Sequence, residues 1–383
     1  MSRFLFVSLP LSGHAYPAAA VAGALRERGH DVAWVGPETY LRPLVGPDTT
    51  VYSTGLRPYR GQRDLGYRSI KSVWEGFVVP FARFMLPAVD RAVAAYWPDV
   101  LVVDQHALAG ALVAHRHRVP WATLATGAME LTRPFQGQPK VEAWIRGHLS
   151  ALWAAAKLTG EPAVDLRFSP HLVLALTTRA LAGATSLPDH FVLVGPAIGD
   201  RKAEADFPWQ DLAVARHRVL VSMGTLAQDL AASFYARVVA ALAPASDRIQ
   251  GIVLAPREAV PDAPPEFIVT PRAPMLELLP HLDAVVCHAG QNTVCEALTH
   301  GVPLVMAPIR HDQPIIASQV VRAGAGIRVR FHRVRADQLR DAVTAVLDDP
   351  AYRAAAGHVR DSFAAAGGAA AAARHLAALA AGD

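Results

Sequence analysis

Charge is scarce in this chain. Only 18% of its 383 residues are Asp, Glu, Lys or Arg, against about 25% in ordinary globular domains, while 52% are hydrophobic. Such a composition buries too much surface to stay disordered, and the length favours two domains over one. Lysine is rarer still, with Lys71, Lys140, Lys157 and Lys202 the whole complement. The formal balance of +4 therefore rests on dispersed arginines. With no long basic run, nucleic acid is not an expected partner. Two cysteines, Cys287 and Cys295, cannot frame a disulfide-stapled fold and fit a reducing compartment, so a cytoplasmic location is expected. Uninterrupted apolar stretches are missing too. Residues 4–25 carry no charge and superficially suit a secretory signal, but Pro10, Gly13, His14 and Pro17 break them; a strand, a polar turn and a helix explain them better. The Ala-rich tail after Ala364 is interrupted by Gly367, Gly368, Arg374 and His375, and reads as a weakly amphipathic helix and not as an integral membrane span.

What is present is a pattern that occurs twice. The first half opens with Phe4-Leu5-Phe6-Val7-Ser8, then Gly13-His14 and Pro17, a helical stretch over 18–28, and a second apolar run over 31–35. Further strands are expected at 100–103, 121–124, 172–176 and 191–194. The second half restarts with Arg218-Val-Leu-Val-Ser222, echoing Arg3-Phe-Leu-Phe-Val-Ser8, and again a glycine loop, Met223-Gly224-Thr225, precedes a helix over 233–242. Strands follow at 251–254, 267–269, 284–287 and 303–306. Short apolar runs alternating with helices indicate parallel sheets covered on both faces, so the fold class is α/β with two Rossmann-like, doubly wound domains facing a cleft. The expected boundaries are 1–200 for the first domain, 201–217 for a linker that permits closure, 218–360 for the second domain, and 361–383 for C-terminal helix packing back towards the first.

Residues 284–326 carry most of the chemical information. A strand, a tight turn at His288-Ala289-Gly290 and a helix opening near Gln291 and Asn292 leave free N–H groups and a positive dipole end beside a sheet edge, which makes an anion site, most naturally for phosphate. Gly290 permits close backbone approach and Gly301 suits the helix end. Glu296, four residues after Asn292, shares its face, where a carboxylate can accept from ribose hydroxyls.

Residues 284–326 are similar to the donor-binding signature of family 1 glycosyltransferases of the GT-B fold, in which a His-Gly-Gly-x-Gly-Thr/Ser-x-x-Glu-Ala-Leu run is followed by Gly-Val-Pro and an Asp-Gln pair. Here the corresponding residues are His288, Ala289, Gly290, Asn292, Thr293, Glu296, Gly301, Asp312 and Gln313. The loop 221–225 resembles the one that opens the family's second domain, and Gly13-His14 the catalytic loop of its first. The resemblance implies a bacterial natural-product glycosyltransferase of macrolide or polyketide type, transferring a hexose with inversion from a nucleoside diphosphate sugar to a hydrophobic small molecule. It implies that His288, Asn292, Thr293 and the helix end hold one phosphate and Gly224-Thr225 the other. Glu296 would hold the ribose, and Asp312 with Gln313 the sugar hydroxyls. Ala289 and Asn292 replace common glycines, and Val269 with Pro271-Arg272 stand where many relatives place a Trp that stacks on the base. Uridine is the first choice of base, thymidine the second; Arg272 is counted among the donor residues.

The acceptor needs a base, and His is the side chain whose ordinary pKa suits that task near neutrality. His14 is the candidate, with Asp104, at the end of the apolar run 100–103, to fix its tautomer and stabilise its imidazolium. No Asp-x-Asp triplet occurs, which fits a reaction needing neither metal nor cofactor. Trp74, Phe77 and Phe81, with Tyr59, Tyr67 and Phe84, and Met129, Phe135 and Trp144, with Trp153, supply aromatic surface for a greasy aglycone. Blander readings stand beside these. Asp104 can be a helix cap, Glu296 can face water, any one aromatic can be ordinary core, and Cys287, His288 and Cys295 lack a recognised zinc spacing. Two other functions share the architecture: a sugar-nucleotide epimerase, which would place carboxylates near the sugar in place of His14, and a noncatalytic accessory protein for a partner transferase. A monomer or homodimer is expected.

Overall fold

Continuous apolar strands arise where both faces of a sheet are covered, and the first strand shows how the faces divide. In β1 (Arg3–Val7), Leu5 and Val7 enter one hydrophobic core while Phe4 and Phe6 enter another. Fully burying each such side chain contributes about 1.5–3 kcal/mol. The computed structural model describes residues 1–57, 64, 67–127, 129–132, 135, 137–160, 162, 164–183, 186–199, 206–224 and 228–382. The chain forms two units: Met1–Thr178 with Thr185–Gly199 and Ala365–Asp383, and Arg179–Ala184 with Asp200–Ala364.

The first unit contains β1, β2 (Asp31–Gly36), β3 (Val51–Ser53), β4 (Val100–Asp104), β5 (Trp121–Ala125), β6 (Leu172–Ala175) and β7 (Phe191–Leu193). They make one seven-stranded sheet in the order β3-β2-β1-β4-β5-β6-β7, every pairing parallel. The strand order reverses between β1 and β4, which pair from Phe4 with Val100 to Val7 with Val103. Ligands in open α/β sheets bind at the carboxyl ends beside such a reversal.

The second unit repeats the plan with β8 (His217–Ser222), β9 (Ile249–Leu254), β10 (Ile268–Thr270), β11 (Ala284–Cys287), β12 (Leu304–Met306) and β13 (Gly326–Arg328), in the order β10-β9-β8-β11-β12-β13. Its reversal lies between β8 and β11, which are also parallel. Both units are therefore doubly wound, as the sequence indicates, although the edge strands β3 and β13 were not among those expected from it.

Two local features differ from the sequence reading, and a third, the tail, packs as helix as expected. The first helix spans Ser12–Glu27, so Gly13, His14 and Pro17 lie within it and not in a loop before it. The Leu11 carbonyl accepts the N–H groups of His14 and Ala15, both at 2.9 Å, and Pro17, the sixth helical residue, forgoes the one intrahelical bond its N–H would have given Gly13. Residues 206–217 are part of the second unit, with Phe207 buried in its core; residues 201–205 of the expected linker lie outside the described residues. The tail, long and apolar enough over Pro350–Ala381 to cross a membrane, with mean hydropathy 1.2, is two helices, Pro350–Ala366 and Gly368–Ala381. Their apolar faces are used in packing: Ala356, Val359 and Phe363 in the core of the second unit, and Ala371, Ala372, Ala373 and Leu376 in that of the first.

Candidate active site

The reversal of the first sheet brings together the two residues expected to perform proton transfer. His14 sits in the first turn of the helix after β1, and Asp104 is the last residue of β4. The His14 Nδ1 atom lies 2.7 Å from Asp104 Oδ2. Asp104 is 4% exposed, so a dry, short contact fixes the ring. Its other oxygen, Oδ1, accepts the backbone N–H of His106 at 2.9 Å. Burial alone would raise the Asp104 pKa; the adjoining His14 ring, aided by His106, holds it below the usual carboxylate value. Asp104 is thus an anion whose two oxygens are both committed, and the cap-only reading does not describe it. Thr126, just after β5, adds a hydroxyl 3.0 Å from the same Nδ1 atom. With Nδ1 engaged on Asp104, the remaining ring nitrogen, Nε2, is the one positioned to act as a base.

Sequence reasoning missed the neighbours of this pair. His106 lies beside His14, ring centroids 5.5 Å apart, and its Nε2 is 3.0 Å from Glu130 Oε1. Gln105 donates to Glu130 Oε2 at 3.0 Å. A polar dipeptide directly after an apolar strand was a signal for Gln105 and His106; nothing in the sequence ties Glu130 to them. His14, Asp104 and His106 present ligand atoms within 4.8 Å of one another, and in the structure these side chains are paired by hydrogen bonds, His14 with Asp104 and His106 with Glu130.

At the reversal of the second sheet, His288 follows β11 and Gly224 follows β8. The His288 ring is held between two glycines. A Cβ on Gly224, whose φ is +71°, would lie 2.5 Å from Cε1 of the ring, and one on Gly290 would lie 2.6 Å from Nε2. Gly290 thus makes room for the histidine, a local reason the phosphate argument did not supply. Burial pushes the His288 pKa down to about 4, with the Arg310 charge adding to it, while a hydrogen bond to the Ser222 backbone opposes them. Nδ1 is inaccessible and has no hydrogen-bond partner.

The helix Gln291–Thr299 starts at Gly290 with no side-chain cap and no acidic residue in its first turn, which leaves its positive end for an anion. Asn292 and Thr293 are half-buried there, and Glu296 is 6% exposed. Glu296 is therefore an interior carboxylate, and the reading in which it merely faces water fails. The helix ends in a glycine-terminated turn: Gly301, at φ +65°, donates to Leu298 at 2.9 Å and Val302 to Ala297 at 3.0 Å, the paired bonds that close a helix through a left-handed residue. Ala289 adopts φ +65° without being glycine, a strain of about 1–2 kcal/mol.

The loop after β12 differs from expectation in one respect. Asp312 stands at the N-cap position of the helix Gln313–Arg322 without a side-chain capping bond and is half-buried. Gln313 is 7% exposed, and its Oε1 accepts the backbone N–H groups of Ile309 at 2.9 Å and Arg310 at 3.0 Å. Half of its amide therefore shapes the loop. Arg310, 3% exposed, is a buried cation that the sequence argument overlooked. Burial, helped by Arg310, also pushes the His311 pKa down to about 4. Arg272 lies exposed just past β10, and Thr225 lies outside the described residues.

The expected acceptor aromatics are brought together as core. Trp74, Phe77, Phe81 and Phe135 are 1–7% exposed within one hydrophobic cluster, and Trp144 packs against it; Met129 is 8% exposed. The ordinary-core reading describes them better than an open lining does, because they fill the layer between sheet and helices. Trp74–Val78 forms a five-residue π-helix, a distortion frequent near functional sites. Tyr59 lies outside the described residues, as does the side chain of Tyr67. Both thiols are buried and free. Burial pushes Cys287 and Cys295 each up to about 12, which disfavours the thiolates a zinc site needs.

Residues 241–379 match the family described as erythromycin biosynthesis protein CIII-like, C-terminal domain. The chain is 28% identical over 416 aligned residues to 4'-demethylrebeccamycin synthase of Lentzea aerocolonigenes, covering 95% of this chain and 96% of that one. It is 25% identical to the NDP-glycosyltransferase YjiC of Bacillus subtilis, covering 90% and 88%. Among solved structures, spinosyn rhamnosyltransferase SpnG complexed with spinosyn aglycone superimposes with a TM-score of 0.78 at 25% identity, over 98% of this chain and 100% of that one. The chain has the GT-B fold and is similar in sequence to glycosyltransferases, among them those of macrolide and polyketide pathways.

Proposed function

We propose that the protein transfers a hexosyl group from a pyrimidine nucleoside diphosphate sugar to a hydroxyl of a hydrophobic natural product, by one inverting displacement without a metal or other cofactor. The observation that carries this reading is the 2.7 Å contact between His14 and the buried Asp104. His14 Nε2 takes the acceptor proton as the acceptor oxygen bonds to the anomeric carbon. The bond from that carbon to the diphosphate breaks, and the nucleoside diphosphate departs with the electron pair. Asp104 stabilises the imidazolium, which afterwards gives its proton to water. An epimerase has no use for this base, so the transferase reading is preferred.

On the donor side, the open N-terminus of the helix Gln291–Thr299, with Asn292 and Thr293, receives the diphosphate, and the buried Arg310 adds positive potential. His288, enclosed beside that helix end, is the further residue assigned to a phosphate oxygen. Glu296 takes the ribose, and Asp312 with Gln313 takes the sugar. Uridine remains one choice of base. Thymidine is the second, favoured by a SpnG structure holding thymidine diphosphate. Two reduced, buried thiols fit a cytoplasmic enzyme.

Calorimetric titration with UDP and dTDP, beside turnover of UDP-glucose and dTDP-glucose with a phenolic acceptor, tests the assignment. His14→Ala should bind nucleotide normally and lose about 10²-fold or more in turnover, whereas His288→Ala should lose nucleotide affinity. Turnover by His14→Ala near the wild-type rate at neutral pH would remove His14 from its role.

A further inference from the structure

Asp104 can serve His14 only if its carboxylate is held in place, and the backbone after β4 could turn in several ways. Its second oxygen is fixed by the backbone N–H of His106 at 2.9 Å, so the orientation of residues 105 and 106 sets the aim of the carboxylate. Both of those side chains converge on one acid. Glu130, in the short helix Glu130–Thr132, accepts from Gln105 at 3.0 Å through Oε2 and pairs with His106 at 3.0 Å through Oε1. Glu130 is 7% exposed and Gln105 2%. A buried carboxylate costs several kcal/mol to desolvate unless its oxygens are satisfied, and a neutral side chain would hold a merely structural turn at lower cost.

We propose that Glu130 is a positioning residue for the transfer reaction: through Gln105 and His106 it clamps the turn that aims Asp104 at His14. This rests on the reading of His14 as the base. The charged and titratable groups facing the network are His14 on the first helix, Asp104 on β4, His106 in the turn and Glu130 on its short helix. Behind Glu130 stands Arg167, held by Asp165 at 2.6 Å and by the more distant charge of Glu142. Burial would raise the Glu130 pKa; His106, followed by Arg167, holds it below the usual value. Glu130 is therefore charged throughout the neutral range and adds a second anion near the imidazolium formed on His14.

The arrangement predicts a split between kinetic parameters. With UDP-glucose or dTDP-glucose and a phenolic acceptor, Glu130→Gln should lower kcat by about tenfold, less than the roughly 10²-fold or more lost when a general base is removed outright, and leave the donor KM unchanged. The acid limb of its kcat/KM profile should move to lower pH by about half a unit or more, because an anion that favours the protonated base has been removed. His106→Ala should reproduce the loss, and His106→Gln, which keeps an N–H donor at similar reach, should recover most of it. The deshielded Nδ1 proton of His14 in the proton NMR spectrum reports the His14–Asp104 contact without turnover; it should weaken or shift in Glu130→Gln and His106→Ala. A folded Glu130→Gln protein with an unmoved Nδ1 signal and an unmoved acid limb would overturn the proposal, whatever its melting temperature. Should Glu130→Gln fail to fold, His106→Ala decides the matter by the same two readouts. If no variant or wild type turns over these substrates, the Nδ1 signal still judges the clamp, and the function reading alone is in question.

Discussion

Replacing Asp104 with Asn removes one charge and one acceptor while keeping the shape, and the structure indicates which way the new side chain must fail. Asp104 uses both oxygens as acceptors, one for His14 at 2.7 Å and one for the backbone N–H of His106 at 2.9 Å. An amide offers one acceptor and one donor. If its oxygen stays with the buried N–H of His106, its NH₂ group faces His14 Nδ1, and the ring is driven into the tautomer that carries its proton on Nε2, where it cannot act as a base. The lost charge adds to this. For charge centres about 4 Å apart the attraction lies between about 1 kcal/mol in water and about 4 kcal/mol at an effective dielectric of 20. With the Asp104 side chain 3% exposed and that of His14 19%, the upper half of the range applies. About 3 kcal/mol is roughly 10²-fold in rate, and the tautomer penalty takes the expected loss in kcat to between about 10² and 10⁴. Nucleoside diphosphate affinity, proposed to rest on residues of the second unit, should be unchanged. Turnover of a nucleotide glucose with a phenolic acceptor, beside calorimetry with the free diphosphate, measures both quantities. A kcat within about fivefold of wild type at pH 7 would refute the argument, since not even the Coulomb contribution would then be present.

Two further outcomes are expected. Gly224→Ala places a methyl group 2.5 Å from the His288 ring at φ +71°, so it should displace that ring, weaken nucleoside diphosphate binding by about tenfold or more and lower stability by about 1–3 kcal/mol; unchanged affinity by calorimetry would show that His288 does not organise the donor site. Stability should also fall on mild acidification. His288 and His311 are neutral in the fold down to about pH 4 but titrate at 6.5 when unfolded, so between those values the unfolded chain binds more protons and gains. The cost is at most about 3 kcal/mol for each ring, and less than that because both are partly exposed. Below the ordinary carboxylate values of 3.8 and 4.5, Asp104 and Glu130 add a second loss, their contribution being present above those values and removed as pH drops through their lower folded ones. A melting temperature that stays flat from pH 7 to 5 would contradict the histidine assignment.

Much of this architecture is legible in the chain because it rests on local pattern. Phe4-Leu5-Phe6-Val7 and Val219-Leu-Val221 are apolar at consecutive positions, and only a strand covered on both faces accommodates that. Turn and helix signals around His288 and Gly301 likewise depend on neighbours a few residues away, and they placed the donor helix within a residue of its observed start. His14 and Asp104 were reachable for a related reason: each follows or ends an apolar strand, and strands in parallel sheets deliver their carboxyl ends to one edge.

Only the tertiary structure decided what depends on contacts between distant segments. Glu130 meets Gln105 and His106 across an interval of about 25 residues, and no periodicity connects them. The aromatics at 74, 77, 81 and 135 carry the same composition whether they line a pocket or fill a core; packing made them core. The neutrality of His288 follows from its enclosure between Gly224 and Gly290, residues 64 positions apart on the first side and two on the second. Local sequence fixes backbone direction through short-range sterics and hydrogen bonds. Burial, tautomer and charge state depend on which side chains the folded chain brings within a few ångströms, and those are set by topology.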